Sequence, residues 1–381
     1  MSHQSFNVKI AIISDTHLGY ARFEDDAAEQ AESAFLDAAK KSDLILYAGD
    51  VFDVKIPRLE TMRHAVDMLR KVGTSGVPIY AIHGNHERRS RDMVNPVQLL
   101  ASTGVLNYIH GSGTVFEKNT ERIFIFGMGS VPEDLAATAL KTAVGRVEVP
   151  SGMLRILMIH QTIKDFSLGG EKDLTMDEIS GLPFDLIVNG HIHKTIINHE
   201  ENVLIPGSTV ITQLKEDETA PRGYLVFDTA TKKADFVEIP HRKFLYAELK
   251  FSLASMEDVR NAAMEKLAEL KKLAEGAKKQ PIIRIKLFGT LKEGIRPSDL
   301  FISADGAFID NQLNRSKSNA DFSLPSTPSG RTGTVTEIAI SLLRNKIKDR
   351  MKLLDPAILF DKVSNDVEGA SEYLKSVGNS S

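Results

Sequence analysis

The sequence predicts an α/β fold whose functional groups gather where buried strands end. Three observations predict it. Short apolar runs without alternation recur between residues 8 and 188, as expected of strands covered on both faces. Stretches with helical apolar spacing separate the early runs. Each run is followed within two residues by Asp, Asn or His.

Residues 8–13 are the first run, and Ser14-Asp15-Thr16-His17 follows it. Residues 25–41 have helix-like spacing. Run 44–48 leads into Gly49-Asp50. Residues 58–72 read as a second helix, with Met62, Val66 and Leu69 on one face and Gly73 as its stop. Run 77–82 leads into His83-Gly84-Asn85-His86-Glu87. Run 156–159 leads into His160, and run 186–188 into Asn189-Gly190-His191-Ile192-His193. Strands at 203–205 and 224–227 complete a large domain over residues 1–240.

The style changes at Phe244. Residues 246–251 read as a strand, and 256–272 as an amphipathic helix with Met256, Val259, Ala263, Leu267 and Leu270 on one face. Residues 282–287 alternate as a strand after Pro281. These predict a small α+β unit over 244–315. Residues 316–333 are rich in Ser, Thr, Pro and Gly and read as a flexible linker. The tail, 334–381, carries two amphipathic helices. One covers about 335–354 and is striped by Ile340, Leu343, Ile347 and Met351. The other opens at Asp355-Pro356, an N-cap acid with proline at the first helical position. Two readings of the tail stand side by side: a helical pair docked on its own chain, or a module that binds a partner.

Composition narrows the function. A chain of 381 residues with 42% hydrophobic content supports one large domain and one or two smaller ones. The net charge of -4 means that any nucleic-acid contact must come from a local patch. The absence of cysteine excludes disulfides, thiolate metal sites and a cysteine nucleophile, and suits a reducing compartment. The sequence has no apolar run of bilayer-spanning length and begins with polar residues, so neither a membrane span nor a signal peptide is expected.

The candidate metal ligands are Asp15, His17, Asp50, Asn85, His160, His191 and His193. Phosphodiester hydrolysis needs a nucleophile made at neutral pH and relief of charge on the phosphoryl oxygens. Two metal ions about 3.5–4 Å apart supply both. Such a centre needs a carboxylate able to bridge, with neutral nitrogen and carbonyl donors around each ion. His191 and His193 flank one residue, so one tight turn can serve both ions. Gly49 lets the backbone beside Asp50 pass close to them. Nitrogen and oxygen donors of this kind suit manganese, iron or zinc. Each motif alone is weak, but their order, each after a strand-like run, is not expected by chance. His3, His64, His83, His110, His199 and His241 read as structural or surface residues. The direction in which His83 faces stays open.

Asp15-Thr16-His17-Leu18-Gly19, Gly49-Asp50-Val51-Phe52-Asp53, Gly84-Asn85-His86-Glu87 and Gly190-His191-Ile192-His193 resemble the calcineurin-like metallophosphoesterases. Within that superfamily, the Asp-Thr-His-Leu-Gly and Gly-Asp-x-Phe motifs, the Pro206-Gly207-Ser208 turn and the following small unit resemble the Mre/SbcD nucleases of DNA double-strand-break repair, in a compact, archaeal-like form. The resemblance covers nearly the whole chain. It implies a four-layered αββα sandwich, a DNA-capping unit and a C-terminal helical tail. It implies two manganese ions per subunit, one held by Asp15, His17, Asp50 and His193, the other by Asp50, Asn85, His160 and His191. His86 matches the family's non-ligand histidine, which stabilises the transition state or protonates the leaving oxygen. Exonuclease action on duplex ends and endonuclease action on single strands are implied, in a cytoplasmic, nucleoid-associated homodimer. The tail helices would bind an SbcC-like coiled-coil ATPase, and residues 58–72 and 94–101 are the dimer candidates, with ordinary core packing as the alternative for their apolar faces.

Asp53 departs from the family, in which many members carry histidine three residues after the bridging Asp. An acid there either adds negative charge beside the scissile phosphate or orients His86. Arg88, Arg89 and Arg91, with Lys55 and Arg58, follow the metal loops and are phosphate-contact candidates, the alternative being solvated charged loops. Two other functions compete: a stand-alone phosphodiesterase or phosphatase for small substrates or phosphoproteins, and a scaffold that only binds partners. Neither has an evident use for both an intact ligand set and residues 244–381.

Overall fold

The computed structural model describes residues 7–90, 93–167, 170, 172–302, 304 and 306–315. The predicted linker (316–333) and tail helices (334–381), together with His3 and Arg91, lie outside the described residues. Among the described residues no helix is long and apolar enough to cross a membrane.

The chain first lays down β1 (Lys9–Ile13), β2 (Leu44–Ala48), β3 (Ile79–Ile82) and β4 (Asn107–Tyr108), each parallel to the last. Between them run α1 (Glu24–Lys41), α2 (Leu59–Gly73) and α3 (Pro96–Ser102). A second sheet follows. It contains β5 (Ser112–Lys118), β6 (Glu121–Met128), β7 (Leu154–Ile159), β8 (Leu186–Asn189), β9 (Ile196–Asn198) and β10 (Val203–Ile205), with α4 (Ala136–Val144) and α5 (Met176–Ser180) in the connections. The chain then returns to the first sheet as β11 (Gly223–Asp228) and β12 (Lys233–Glu238). The sheet orders are β12-β11-β1-β2-β3-β4 and β5-β6-β7-β8-β10-β9.

Period-two alternation explains the layers. Ala11, Ile13, Ile45 and Tyr47 pack on Ala31, Ala34, Phe35, Ala65 and Leu69 of α1 and α2. Their neighbours Ile10, Ile12, Leu44 and Leu46 pack on Ile123, Ile125, Ile156, Met158 and Val188 of the second sheet. The other face of that sheet, with Phe124, Phe126, Leu157 and Ile159, covers Leu140 of α4 and Ile179 of α5. The result is the four-layered αββα sandwich, and it accounts for runs that read as continuously apolar: both faces of the central strands are buried.

The second unit is a sheet of three parallel strands, β13 (Phe244–Ala254), β14 (Ile282–Leu291) and β15 (Ala307–Arg315), with β14 in the middle. One face carries α6 (Met256–Leu273), whose Val259, Ala263, Leu267 and Leu270 are buried against Ile283, Ile285 and Leu287. Ser255 caps that helix in a reciprocal box with Asp258. A smaller cluster joins Phe244 and Ile282 of this unit to Phe23, Ala27, Val210, Ile211 and Leu214.

Candidate metal centre

The five loops converge because β1, β2 and β3 of one sheet and β7 and β8 of the other end at the same edge of the sandwich. Four of the seven predicted ligands leave their strands with left-handed backbone: Asp15, His17, Asp50 and His191, at φ of 53°, 43°, 47° and 70°. Main-chain bonds hold them. The Asp15 amide donates to Gly49 O at 3.0 Å, and the His17 amide to Asp50 O at 3.1 Å. The His191 amide donates to both Asp15 carboxylate oxygens at 3.2 Å. Close approach requires glycine within these loops. A Cβ on Gly84 would lie 1.9 Å from Asp50 Oδ1, and one on Gly49 would lie 2.4 Å from His160 Nδ1.

All seven predicted ligands come together. Six of them, joined by the predicted non-ligand His86, fall into overlapping groups of donor atoms within 4.8 Å: Asp15, His17 and His193; His17, Asp50 and His86; and Asp50, His160 and His191. Asp50 Oδ2 stands 3.9 Å from His17 Nε2 on one side and 3.3 Å from His160 Nε2 on the other. Asn85 Oδ1 stands 2.8 Å from His191 Nδ1 and 3.2 Å from His160 Nε2. His17 and His193 bring their Nε2 atoms within 3.2 Å of each other.

The donor chemistry fits cations. His160 Nδ1 donates to Ala48 O at 2.7 Å, which directs its Nε2 lone pair at the oxygens of Asp50 and Asn85. Lone pairs facing one another in a buried site need positive charge between them. Burial opposes charge on His160, but Asp50 and Asp15 outweigh it and push its pKa up to about 10. Burial likewise opposes charge on Asp50, and the imidazoles of His160, His17 and His86 outweigh it, holding the carboxyl far below its usual range. His191 is pushed down to about 3 by burial and by His160, so it offers a neutral nitrogen.

His86 differs from the ligands. Its amide donates to Asp50 Oδ1 at 3.1 Å, and its Nδ1 donates to Asp53 O at 2.6 Å. The side chain is 34% exposed where that of His17 is 1% exposed, so a substrate can reach it. Asp53 orients His86 through its main-chain oxygen, a service independent of residue type. The Asp53 carboxylate instead stands 3.3 Å from His17 Nδ1 and 3.7 Å from His86 Nδ1.

His83 faces away from the donors. It bonds the Tyr108 hydroxyl at 2.7 Å and lies 3.1 Å from Ser130 O, and burial with the neighbouring His110 pushes its pKa down to about 3. Of the predicted phosphate contacts, Arg58 is ion-paired with Glu24, Arg88 lies 3.5 Å from the Ser130 hydroxyl, and Lys55 is exposed. Sequence reasoning assigned no role to Glu87, although it closes the Gly-Asn-His-Glu motif. Its fully buried carboxyl accepts the Phe52 amide at 2.5 Å and the Gly84 amide at 2.7 Å, tying the loop after β2 to the loop after β3. It also missed Thr212 and Glu218, which stand behind His193 and carry no motif.

Residues 8–195 match the calcineurin-like phosphoesterase family, and this stretch of the chain is a domain of that family. Such a domain implies a dinuclear metal centre, for which the His and Asp clusters are the donors. Its homologues include Mre11 double-strand break repair proteins. The chain is 28% identical over 253 residues to that of Encephalitozoon cuniculi, covering 55% of this chain and 43% of the relative. It is 26% identical over 303 residues to the Mre11 of Methanocaldococcus jannaschii, covering 75% and 77%, and 23% identical over 371 residues to that of Arabidopsis thaliana, covering 75% and 51%. The chain thus spans about half the length of the first and last of these relatives.

Proposed function

We propose that the chain is a manganese-dependent DNA nuclease, an exonuclease on duplex ends and an endonuclease on single strands, acting in double-strand-break repair with an SbcC-like ATPase. The observation that carries this reading is the placement of Asp50 between two groups of donors within reach of both. Asp15, His17, Asp50 and His193 would hold one ion, and Asp50, Asn85, His160 and His191 the other. Bound manganese supplies charge neutralisation at the phosphoryl oxygens and activation of water. His86, with Nδ1 engaged on Asp53 O, keeps Nε2 for a proton given to the leaving oxygen. Lys55 and Arg89, with Arg91 and the paired Arg58 and Arg88, supply the phosphate contacts beside the metal loops.

Residues 244–315 serve as the DNA-capping unit, and residues 334–381, beyond the linker, as the ATPase-binding tail. A homodimer through α2 and α3 is supported by apolar residues that the core leaves outside: Leu59 is 83% exposed, Val94 63% and Leu99 50%. The test is manganese-dependent digestion of an end-labelled DNA duplex beside hydrolysis of a chromogenic phosphodiester. Digestion of the duplex is expected. Turnover of the small ester alone would favour a stand-alone phosphodiesterase. Two bound ions without turnover of either would favour a scaffold.

A further inference from the structure

We propose that Thr212 and Glu218 form a relay that positions His193 and so set the affinity of one ion of the pair, without touching the other; this rests on the two-metal reading above. Glu218 is 5% exposed, and its carboxylate is heavily engaged. Oε2 accepts the amides of Thr212, Gln213 and Leu214 at 3.0, 2.8 and 3.2 Å. Oε1 accepts the Thr212 hydroxyl at 3.2 Å and lies 3.8 Å from Arg222 Nη2. Three amides and a hydroxyl converge on its two oxygens, so the carboxylate acts here as an acceptor.

The direction of each bond then follows. Thr212 has one hydroxyl proton and gives it to Glu218. Its oxygen therefore accepts from His193 Nδ1, 2.7 Å away. His193 is left with its lone pair on Nε2, the atom that lies 3.8 Å from Asp15 Oδ1 and 3.2 Å from His17 Nε2. The relay selects the tautomer that can bind on the His17 side. Outer partners of this kind are typically worth 10–100-fold in metal affinity. His160 and His191 have different partners, Ala48 O and Asn85, so the other ion has no share in the relay.

The relay also has a footing in the second unit. Arg284 of β14 donates to Leu214 O at 2.8 Å, and Leu214 packs with Phe244 and Ile282. From the core side the Tyr20 hydroxyl donates to Thr212 O at 2.6 Å. The segment from Thr212 to Leu214 is thus held from both units.

The test is calorimetric titration of the metal-free full chain with manganese, for wild type, Thr212→Val, Thr212→Ser and Glu218→Gln, with thermal unfolding of each. Thr212→Val deletes the hydroxyl but leaves the amides on Glu218. It should weaken one of two sites about 10–100-fold, leave the other and the unfolding temperature unchanged, and be rescued by Thr212→Ser. Two unchanged sites, or equal weakening of both with a fall in unfolding temperature, would overturn the relay. A wild-type chain that binds fewer than two ions would sink the metal-centre reading itself, a result separable from the first two.

Discussion

Replacing Glu87 by alanine should cost the metal-free protein about 2–5 kcal/mol of stability, although Glu87 is not a ligand in the proposed centre. The carboxyl is fully buried and is the acceptor for two main-chain amides, Phe52 at 2.5 Å and Gly84 at 2.7 Å. Alanine leaves both donors buried without these bonds. An unsatisfied buried donor costs about 1–3 kcal/mol, so two cost roughly 2–6 kcal/mol. A smaller gain opposes this. Burial, and next the charge of Asp50, push the Glu87 pKa up to about 8, so relief of that unfavourable environment trims the upper end. Glu87→Gln keeps one carbonyl acceptor and presents its amide group to the other donor, so its loss should lie near half that of alanine. Denaturant unfolding of the metal-free proteins measures both, against a total of roughly 5–15 kcal/mol for a typical domain. An alanine variant within about 0.5 kcal/mol of wild type, the spread of ordinary surface substitutions, would refute the reasoning.

Three further outcomes are expected. His86→Asn should keep both manganese ions and duplex binding yet cleave at least ~100-fold more slowly, because it removes a proton donor and no ligand; near-normal cleavage, or metal loss in step with activity, would contradict this in single-turnover and elemental assays. Asp50→Ala should lose both ions or hold one weakly, and two tightly bound ions by elemental analysis would show that Asp50 is not shared. Truncation after residue 333 should leave metal-dependent cleavage intact and abolish co-purification with an SbcC-like ATPase, whereas retained complex would place the partner site elsewhere.

The sandwich was legible where burial and chemistry coincide in the sequence. Residues 44–48 are apolar throughout because β2 has neighbours on both faces and both edges, and the run ends two residues before Asp50, which meets the other donors. The hairpin of β5 and β6 was passed over, since neither strand ends in a candidate donor. β15 escaped for another reason. It is an edge strand whose Ile309 and Leu313 turn inward while Asp310, Asn311 and Gln312 interrupt any apolar run. At the site, the predicted ligands could be read because each sits within a few residues of a strand end. Their supports could not. Glu218 reaches His193 from a charged segment 25 residues downstream, and nothing in Lys215-Glu216-Asp217-Glu218 distinguishes the buried acid from its three exposed neighbours. The direction of His83 was undecidable for a similar reason, since it depends on Tyr108 and Ser130, partners contributed by later strands and loops.

The left-handed residues show how the donor set is made available. Had the chain continued as extended strand, successive side chains would lie on the two faces of each sheet, inside the layers. Asp15, His17, Asp50 and His191 turn the backbone out of the pleat at the edge that both sheets share. Glycine would adopt that backbone without strain but has no donor to offer. The conformation costs an ordinary residue roughly 1–2 kcal/mol, and Asp and His tolerate it better than most. Fixed bonds outweigh that cost. Leu18 N donates to Val51 O at 2.9 Å and Asp53 N to Leu18 O at 3.1 Å, so the loops after β1 and β2 continue a two-stranded ladder past the end of the sheet. The His191 amide then closes on the Asp15 carboxylate from the opposite sheet. The main chain itself thus holds the donor set in place. Cation binding to donors so held would require little further ordering of the backbone.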